Sequence, residues 1–200
     1  MTSAAAPGKI ILCGEHAVVY GYPAVAIPLT QVTARATVEP RDAVGVELVL
    51  ADIDVVVDPF AEGIEAQYPL VEAVRAVAAY FGRTQLPPLT ITLQSSIPIA
   101  SGLGSGAASA AAIIRALLRH FGDPASNELV SRLTYSVEKQ FHGTPSGIDN
   151  TVVTFQQPVY FVRRRPENIT ETFVVSEPLI FLVADTGVRV ETKAVVSDVR

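Results

Sequence analysis

Hydrophobic and polar positions along the chain change period twice, from alternation to helical spacing and back. Lys9–Cys13 (KIILC), launched from Pro7-Gly8, predicts a short strand, and the polar Gly14-Glu15-His16 interrupts it before Val18-Val19-Tyr20. A Gly21-Tyr22-Pro23 turn leads to a second short strand at Ala24–Pro28. Residues 32–39 alternate Val, Ala, Ala and Val with Thr and Arg, the period of a half-buried strand. Val44–Leu50 and Ile53–Val57 predict a hairpin turning at Ala51-Asp52. The spacing then becomes helical over 70–81, where Leu70, Val74, Val77 and Phe81 share a face and Gly82 ends the run. A strand at Leu89–Leu93 follows. Pro98–Leu118 (PIASGLGSGAASAAAIIRALL) predicts a glycine-rich turn feeding a helix that only Arg115 interrupts with charge. Asp123-Pro124 predicts the opening of another helix, running to about Phe141 with Leu129, Leu133, Val137 and Phe141 inward. His142–Asn150 has the composition of a turn, and strands are expected at Thr151–Phe155, Val159–Arg163 and Leu179–Ala184. Residues 166–172 read as a loop, and Thr192–Arg200 as the start of a helix.

Composition narrows the class of protein. A hydrophobic share of 49% and a mean hydropathy of +0.35 supply an ample core and argue against disorder. Fifteen basic against twenty acidic residues leave a net charge of −5, and Arg163-Arg164-Arg165 is the one basic run. It reads as a solvated strand end, so nucleic acid is not the expected partner. Cys13 is the sole cysteine, which excludes an internal disulfide and makes a reducing, cytoplasmic setting the expectation. The N-terminus has no basic-then-apolar leader pattern, and no apolar run reaches membrane-spanning length. The last element stops part-way, which suggests a truncated chain.

Five places offer chemistry. The loop with Ser101, Gly102, Gly104, Ser105 and Gly106 ahead of a helix would present unpaired N–H groups at the positive end of a helix dipole, as phosphate oxygens require. Its spelling fits neither a Walker loop nor G-x-G-x-x-G, and small residues there also serve close packing. Lys9, the Glu15-His16 pair, Glu138 and Asp149 each have an ordinary explanation: a surface lysine, a turn histidine, a solvated helix face, a turn-capping aspartate. Together they supply each part that phosphoryl transfer needs: a phosphate cradle, hard oxygens for a metal, a cation, and a carboxylate for the acceptor hydroxyl.

The strings PGKIILCGEHAVVYG (7–21), PIASGLGSGAA (98–108) and HGTPSGIDN (142–150) resemble motifs of the GHMP small-molecule kinases. The third, with VADTGVRVETKAVV (183–196), is most similar to the mevalonate-phosphorylating branch of that family. The resemblance implies an α+β fold: a two-layer N-terminal ATP-binding domain over residues 1–175, ribosomal-protein-like with a left-handed βαβ unit, followed by the start of a ferredoxin-like C-terminal domain over 176–200. It implies ATP-dependent phosphorylation of (R)-mevalonate to 5-phosphomevalonate with Mg²⁺, and a homodimer as the partner state to look for. Carried over by position, Asp149 would be the base and Lys9 its cationic partner. Pro98, Ser101, Gly102, Leu103, Gly104, Ser105, Gly106 and Ala107 would hold ATP. Lys9, Glu15, His16, Asp149 and Thr192 would face mevalonate, and Ser105 and Glu138 would hold the metal. One departure stands out: Gly106 replaces the second serine usual in the family's GLGSSA. Two other readings stay open: a GHMP kinase for homoserine, a sugar or a related acid, and a nucleotide-binding relic without turnover.

Overall fold

A computed structural model of the chain describes residues 1–99, 101–142, 145–177 and 180–184. The strands are Thr2–Cys13 (β1), Pro23–Pro40 (β2), Val46–Leu50 (β3), Val55–Val57 (β4), Leu89–Ser95 (β5), Val159–Val162 (β6) and Ile169–Thr172 (β7). The α-helices among the described residues are Val71–Tyr80 (α1), Ser105–His120 (α2), Asn127–His142 (α3) and Ile148–Phe155 (α4). The strands form one sheet in the order β4-β3-β5-β2-β6-β7, with β1 paired to β2 off this path. The helices form the second layer, which is the α+β, two-layer arrangement expected.

Two strands are longer than the pattern predicts. β1 begins at Thr2, and a single β2 replaces the separate strands expected at 24–28 and 32–39. Alanine carries the buried face here (Ala4, Ala6, Ala34, Ala36), and it is a poor strand signal although it packs well against a helix. The apparent break is a β-bulge: pairing slips between Pro7–Thr33 and Gly8–Leu29 without ending the ladder. The expected hairpin forms between β3 and β4. β3 runs parallel to β5, connected through β4 and α1.

α2 is the centre of the molecule. Every residue from Ala107 to Leu118 is buried, as expected of a helix apolar on all sides, and it packs on β1 and β2 between α1, α3 and α4. Its one buried charge, Arg115, donates to Asn127 Oδ1 at 3.0 Å and to the Thr154 carbonyl at 2.9 Å. That fork ties the start of α3 to the end of α4.

Four expectations need correction. Residues 151–155 belong to helix α4, not to a strand. The Thr-Val-Val-Thr-Phe run is β-branched enough to suggest a strand, but Ile148, Val152 and Val153 bury at helical spacing. Gly147, in the left-handed region at φ 95°, starts the helix, and Thr151 Oγ1 donates back to the Gly147 carbonyl at 2.7 Å. α3 starts at Asn127 because Asp123 first closes a turn on the Ala125 N–H at 2.7 Å, and Ser126 then caps the Leu129 N–H at 3.2 Å. Residues 169–172, expected as loop, pair with β6 as β7. Residues 180–184 form no strand, and Ile180 and Leu182 are 98% exposed, so no strand partner covers them. The helix expected over 192–200 and the side chain of Phe141 lie outside the description. Among the described residues, no helix is long and apolar enough to cross a membrane.

Candidate active site

The glycine loop is held against β1. Gly102 and Gly104 have φ of 76° and 73°, a region alanine enters only with strain. Ser101 Oγ donates to the Pro98 carbonyl at 2.8 Å. The first intrahelical bond of α2 runs from Ala108 N–H to the Gly104 carbonyl, so the N–H groups of Ser105, Gly106 and Ala107 have no acceptor within the helix. The Ala107 methyl is buried, leaving only backbone for a phosphate to meet, whereas Gly106 is exposed. The Lys9 N–H donates to the Leu103 carbonyl at 2.9 Å, and a Cβ on Gly104 would stand 2.7 Å from Lys9 Cγ. The loop therefore fixes both the backbone and the stem of the lysine.

Lys9 is only 4% exposed, which rules out the ordinary reading of a surface lysine. Its Nζ lies 3.1 Å from Asp149 Oδ1. Burial pulls the lysine pKa down, but Asp149, Glu15 and Glu138 together outweigh it and leave Lys9 above its usual value, firmly an ammonium. Asp149 sits in the first turn of α4. Helix geometry, not the turn expected, aims it. Asn150, next along, clamps α4 to α3 by donating from Nδ2 to Ser131 Oγ at 2.8 Å and to the Ser131 carbonyl at 3.2 Å. No sequence signal singled out that clamp, and the Gly104–Lys9 contact was equally invisible in the spacing.

Glu138 is 6% exposed, so it does not lie on a solvated face. Burial first, then the negative charge of Asp149, push its carboxyl up to about 8, with Lys9 opposing. A carboxyl raised on folding adds stability that is complete below its unfolded value near 4.5 and is lost as pH rises through about 8. The chain should therefore lose stability, on the order of a few kcal/mol, between pH 5 and pH 9 in EDTA, and Glu138→Gln should flatten that slope. Urea unfolding of both forms at the two pH values tests this; equal slopes would contradict it.

Glu15 lies close enough to Lys9 for its charge to be felt there, and His16 follows it in a tight turn. Ala17 N–H donates to the Glu15 carbonyl at 2.6 Å around His16, whose φ of 59° and ψ of −43° make a γ-turn, a strained shape for a residue with a side chain. Gly14 before it cannot be replaced cheaply, since a Cβ there would lie 2.3 Å from the Pro23 carbonyl oxygen. Val18 packs with Ile148, Val152 and Phe161, which seats this turn against α4 and hence beside Asp149. Thr192 lies outside the described residues. Lys9, Asp149, Glu138, Glu15 and the glycine loop are thus brought together, from elements far apart in sequence.

The residues fit a divalent cation. Glu138 and Ser105 offer hard oxygens, and a carboxyl whose proton affinity is raised by burial and then by a neighbouring carboxylate is one that a cation would return to its anionic form. Among the described residues no cluster of three or more His, Cys, Asp or Glu is arranged to hold a metal. Nucleotide oxygens and water would have to complete the shell, as Mg²⁺ readily allows.

Residues 69–157 match the family described as GHMP kinases N terminal domain. Over 187 residues the chain is 35% identical to a mevalonate kinase of Archaeoglobus fulgidus, covering 93% of this chain and 59% of that one. The chain thus spans about three-fifths of the length of the curated relatives it matches. A solved mevalonate kinase of Methanococcus jannaschii superimposes with a TM-score of 0.74 at 23% identity, over 86% of this chain and 56% of that one, a likeness of fold alone. The L. major mevalonate kinase, solved in complex with R-mevalonate, gives a TM-score of 0.72 at 25% identity, over all of this chain and 60% of that one.

Proposed function

We propose that the chain forms the catalytic N-terminal part of a GHMP kinase that phosphorylates (R)-mevalonate on its primary hydroxyl, yielding 5-phosphomevalonate and ADP; the family match over residues 69–157 and the 35% identity to a mevalonate kinase support this reading. The observation that supports this best is the Lys9–Asp149 pair at 3.1 Å, with Lys9 also bonded to the glycine loop at Leu103. That arrangement joins a phosphate cradle to a base and its counter-charge within one set of contacts. Asp149 accepts the proton of the attacking hydroxyl. Lys9 stabilises negative charge as the proton and the phosphoryl group move. Pro98 and residues 101–107 wrap the ATP phosphates. Glu15 and His16 contact the acceptor, and Thr192 is assigned to it by the resemblance alone. Ser105 and Glu138 would hold Mg²⁺, which would supply positive charge to offset the charge of the transferred phosphoryl group. Most of the rate effect is positioning and electrostatics.

In this reading residues 1–175 make the N-terminal domain and 176–200 begin a second one, whose remainder the enzyme needs for a closed site. The exposed Ile180 and Leu182 are the kind of surface such a domain would cover. The reading also places the enzyme in the cytoplasm, as a homodimer. The test is coupled ADP release with ATP and Mg²⁺ against (R)-mevalonate, homoserine and a sugar, on this chain and on a form extended through the C-terminal part its relatives carry. Turnover with mevalonate by the extended form is expected; preference for another acceptor would assign a different kinase. ATP binding without any turnover would mark a relic.

Gly106 has its own test. Nothing lies within 4 Å of a Cβ built there, and its backbone is ordinary helix, so Gly106→Ser fits without strain. The added hydroxyl should improve KM for Mg-ATP about fivefold, the worth of roughly 1 kcal/mol from one further ligand or hydrogen bond. An unchanged or higher KM would mean that water already serves that position.

A further inference from the structure

Lys9 and Asp149 stand on two different elements, β1 and α4, so the spacing of those elements sets the spacing of the pair. α4 is eight residues long, too short to hold a place by itself, and takes its position from its contacts. Asn150 fixes it to α3 through Ser131. A hydrogen-bonded tie from α4 to β1 runs through Arg115 of α2. Its Nη2 donates to the Thr154 carbonyl on α4 at 2.9 Å and to Asn127 Oδ1 on α3 at 3.0 Å, and its Nη1 reaches the Ala5 carbonyl on β1 at 3.4 Å. β1 and α4 are therefore bridged at two places. One is the Lys9–Asp149 pair, and the other is Arg115 between Ala5 and Thr154, several residues from the reacting groups.

Packing alone gives no reason for a cation at this position. Arg115 is 4% exposed, on a helix whose other residues from Ala107 to Leu118 are apolar apart from Ser109. Among the described residues no carboxylate lies within ion-pair distance of it, and the charge felt there, Arg119, has the same sign. A buried cation so placed is less favourable than an apolar side chain of its volume. What the guanidinium adds is direction. Thr154 lies in the last turn of α4, and the residue four further on is Pro158, which has no N–H to give its carbonyl. Arg115 supplies that missing donor, and its planar fork holds acceptors on three elements at fixed angles.

The two bridges differ in one respect. The attraction between Lys9 and Asp149 falls when Asp149 takes up a proton, whereas the Arg115 bridge contains no group that reacts. Given Asp149 as base and Lys9 as its partner, the reading on which this rests, we propose that Arg115 is a positioning residue of the kinase. It holds β1 and α4 at the spacing that keeps Asp149 in line with the acceptor hydroxyl while the charge of the pair changes.

The test compares Arg115→Met and Arg115→Lys with the parent, in the form extended through the C-terminal part, by two readouts. The first is steady-state kinetics well below the unfolding temperature. Methionine fills the space without charge or donors, and kcat should fall about tenfold or more, a misplacement of about 1 Å being worth roughly a hundredfold. KM for ATP should change by less than about twofold, because α2 keeps its apolar packing and the glycine loop with it. Lysine keeps the charge but not the fork, so its kcat should lie between those of Arg115→Met and the parent. The second readout needs no turnover: the ¹⁵Nζ signal of Lys9, a buried ammonium held against Asp149, should shift in Arg115→Met and shift less in Arg115→Lys. A lowered unfolding temperature with kcat and the Lys9 signal both unchanged would overturn the proposal and leave Arg115 a contributor to stability alone. If Arg115→Met does not fold, Arg115→Lys decides, and parental kcat with a parental Lys9 signal there would overturn it equally. A parent form that turns over no acceptor would defeat the kinase reading, and the Lys9 signal would still decide whether Arg115 sets the pair.

Discussion

Asp149→Asn, in a form extended through the C-terminal part, should lower kcat for mevalonate-dependent ADP release by about a thousandfold, within the range seen for loss of a general base. Asn keeps the volume and an oxygen that Lys9 can still donate to, so folding should survive. KM for ATP should change little, because Asp149 belongs to α4 and not to the glycine loop. A fall in kcat with KM preserved marks an interaction made in the transition state and not in binding. Lys9 is the complication, since removing its counter-charge leaves a nearly buried ammonium, with Glu138 and Glu15 as the remaining nearby carboxylates. Some loss of stability is therefore expected as well. Measuring kcat at a temperature well below unfolding separates the two effects. A kcat within about tenfold of the parent would remove Asp149 from the role of base.

The second large effect is at Gly104, and Gly102 is its internal control. The two glycines have nearly equal positive φ, 73° and 76°. Alanine at either pays the same backbone strain, about 1–2 kcal/mol. They differ in what a Cβ meets: nothing within 4 Å at Gly102, but Lys9 Cγ at 2.7 Å and Cε at 3.2 Å at Gly104. The near end of a buried, ion-paired side chain cannot swing aside as a free lysine tip would. Gly104→Ala should therefore push Lys9 out of line with Asp149 and lower kcat about a hundredfold more than Gly102→Ala, the scale of a misplacement of about 1 Å. Both variants should weaken ATP binding. Steady-state kinetics of the pair decides the matter: equal kcat values would mean that the loop does not position Lys9.

Local chemistry was legible in the sequence; the assembly of the site was not. The glycine loop, α1, α2 and the β3–β4 hairpin could be read because their apolar spacing and turn residues agree with one another. Asp149, which lies 3.1 Å from Lys9, was expected on a turn and sits instead in the first turn of α4. All five side chains in 151–155 favour strands by intrinsic preference, and burial against α2 and α3 overrides that preference. Glu138 shows the converse. An acid within a helical run says nothing about burial, and only packing against the Lys9–Asp149 pair reveals a carboxyl held protonated to about 8. Contacts such as Gly104 against Lys9 join residues far apart in the chain, and no pattern within either segment encodes them.

The central claim is that these groups transfer phosphate from ATP to the hydroxyl of mevalonate. The most direct test is ³¹P NMR of the extended form incubated with ATP, Mg²⁺ and (R)-mevalonate. A phosphomonoester signal should grow in step with ADP, split by coupling to the adjacent CH₂, and be absent with Asp149→Asn. Loss of the ATP γ signal to inorganic phosphate alone, with or without mevalonate, would contradict it.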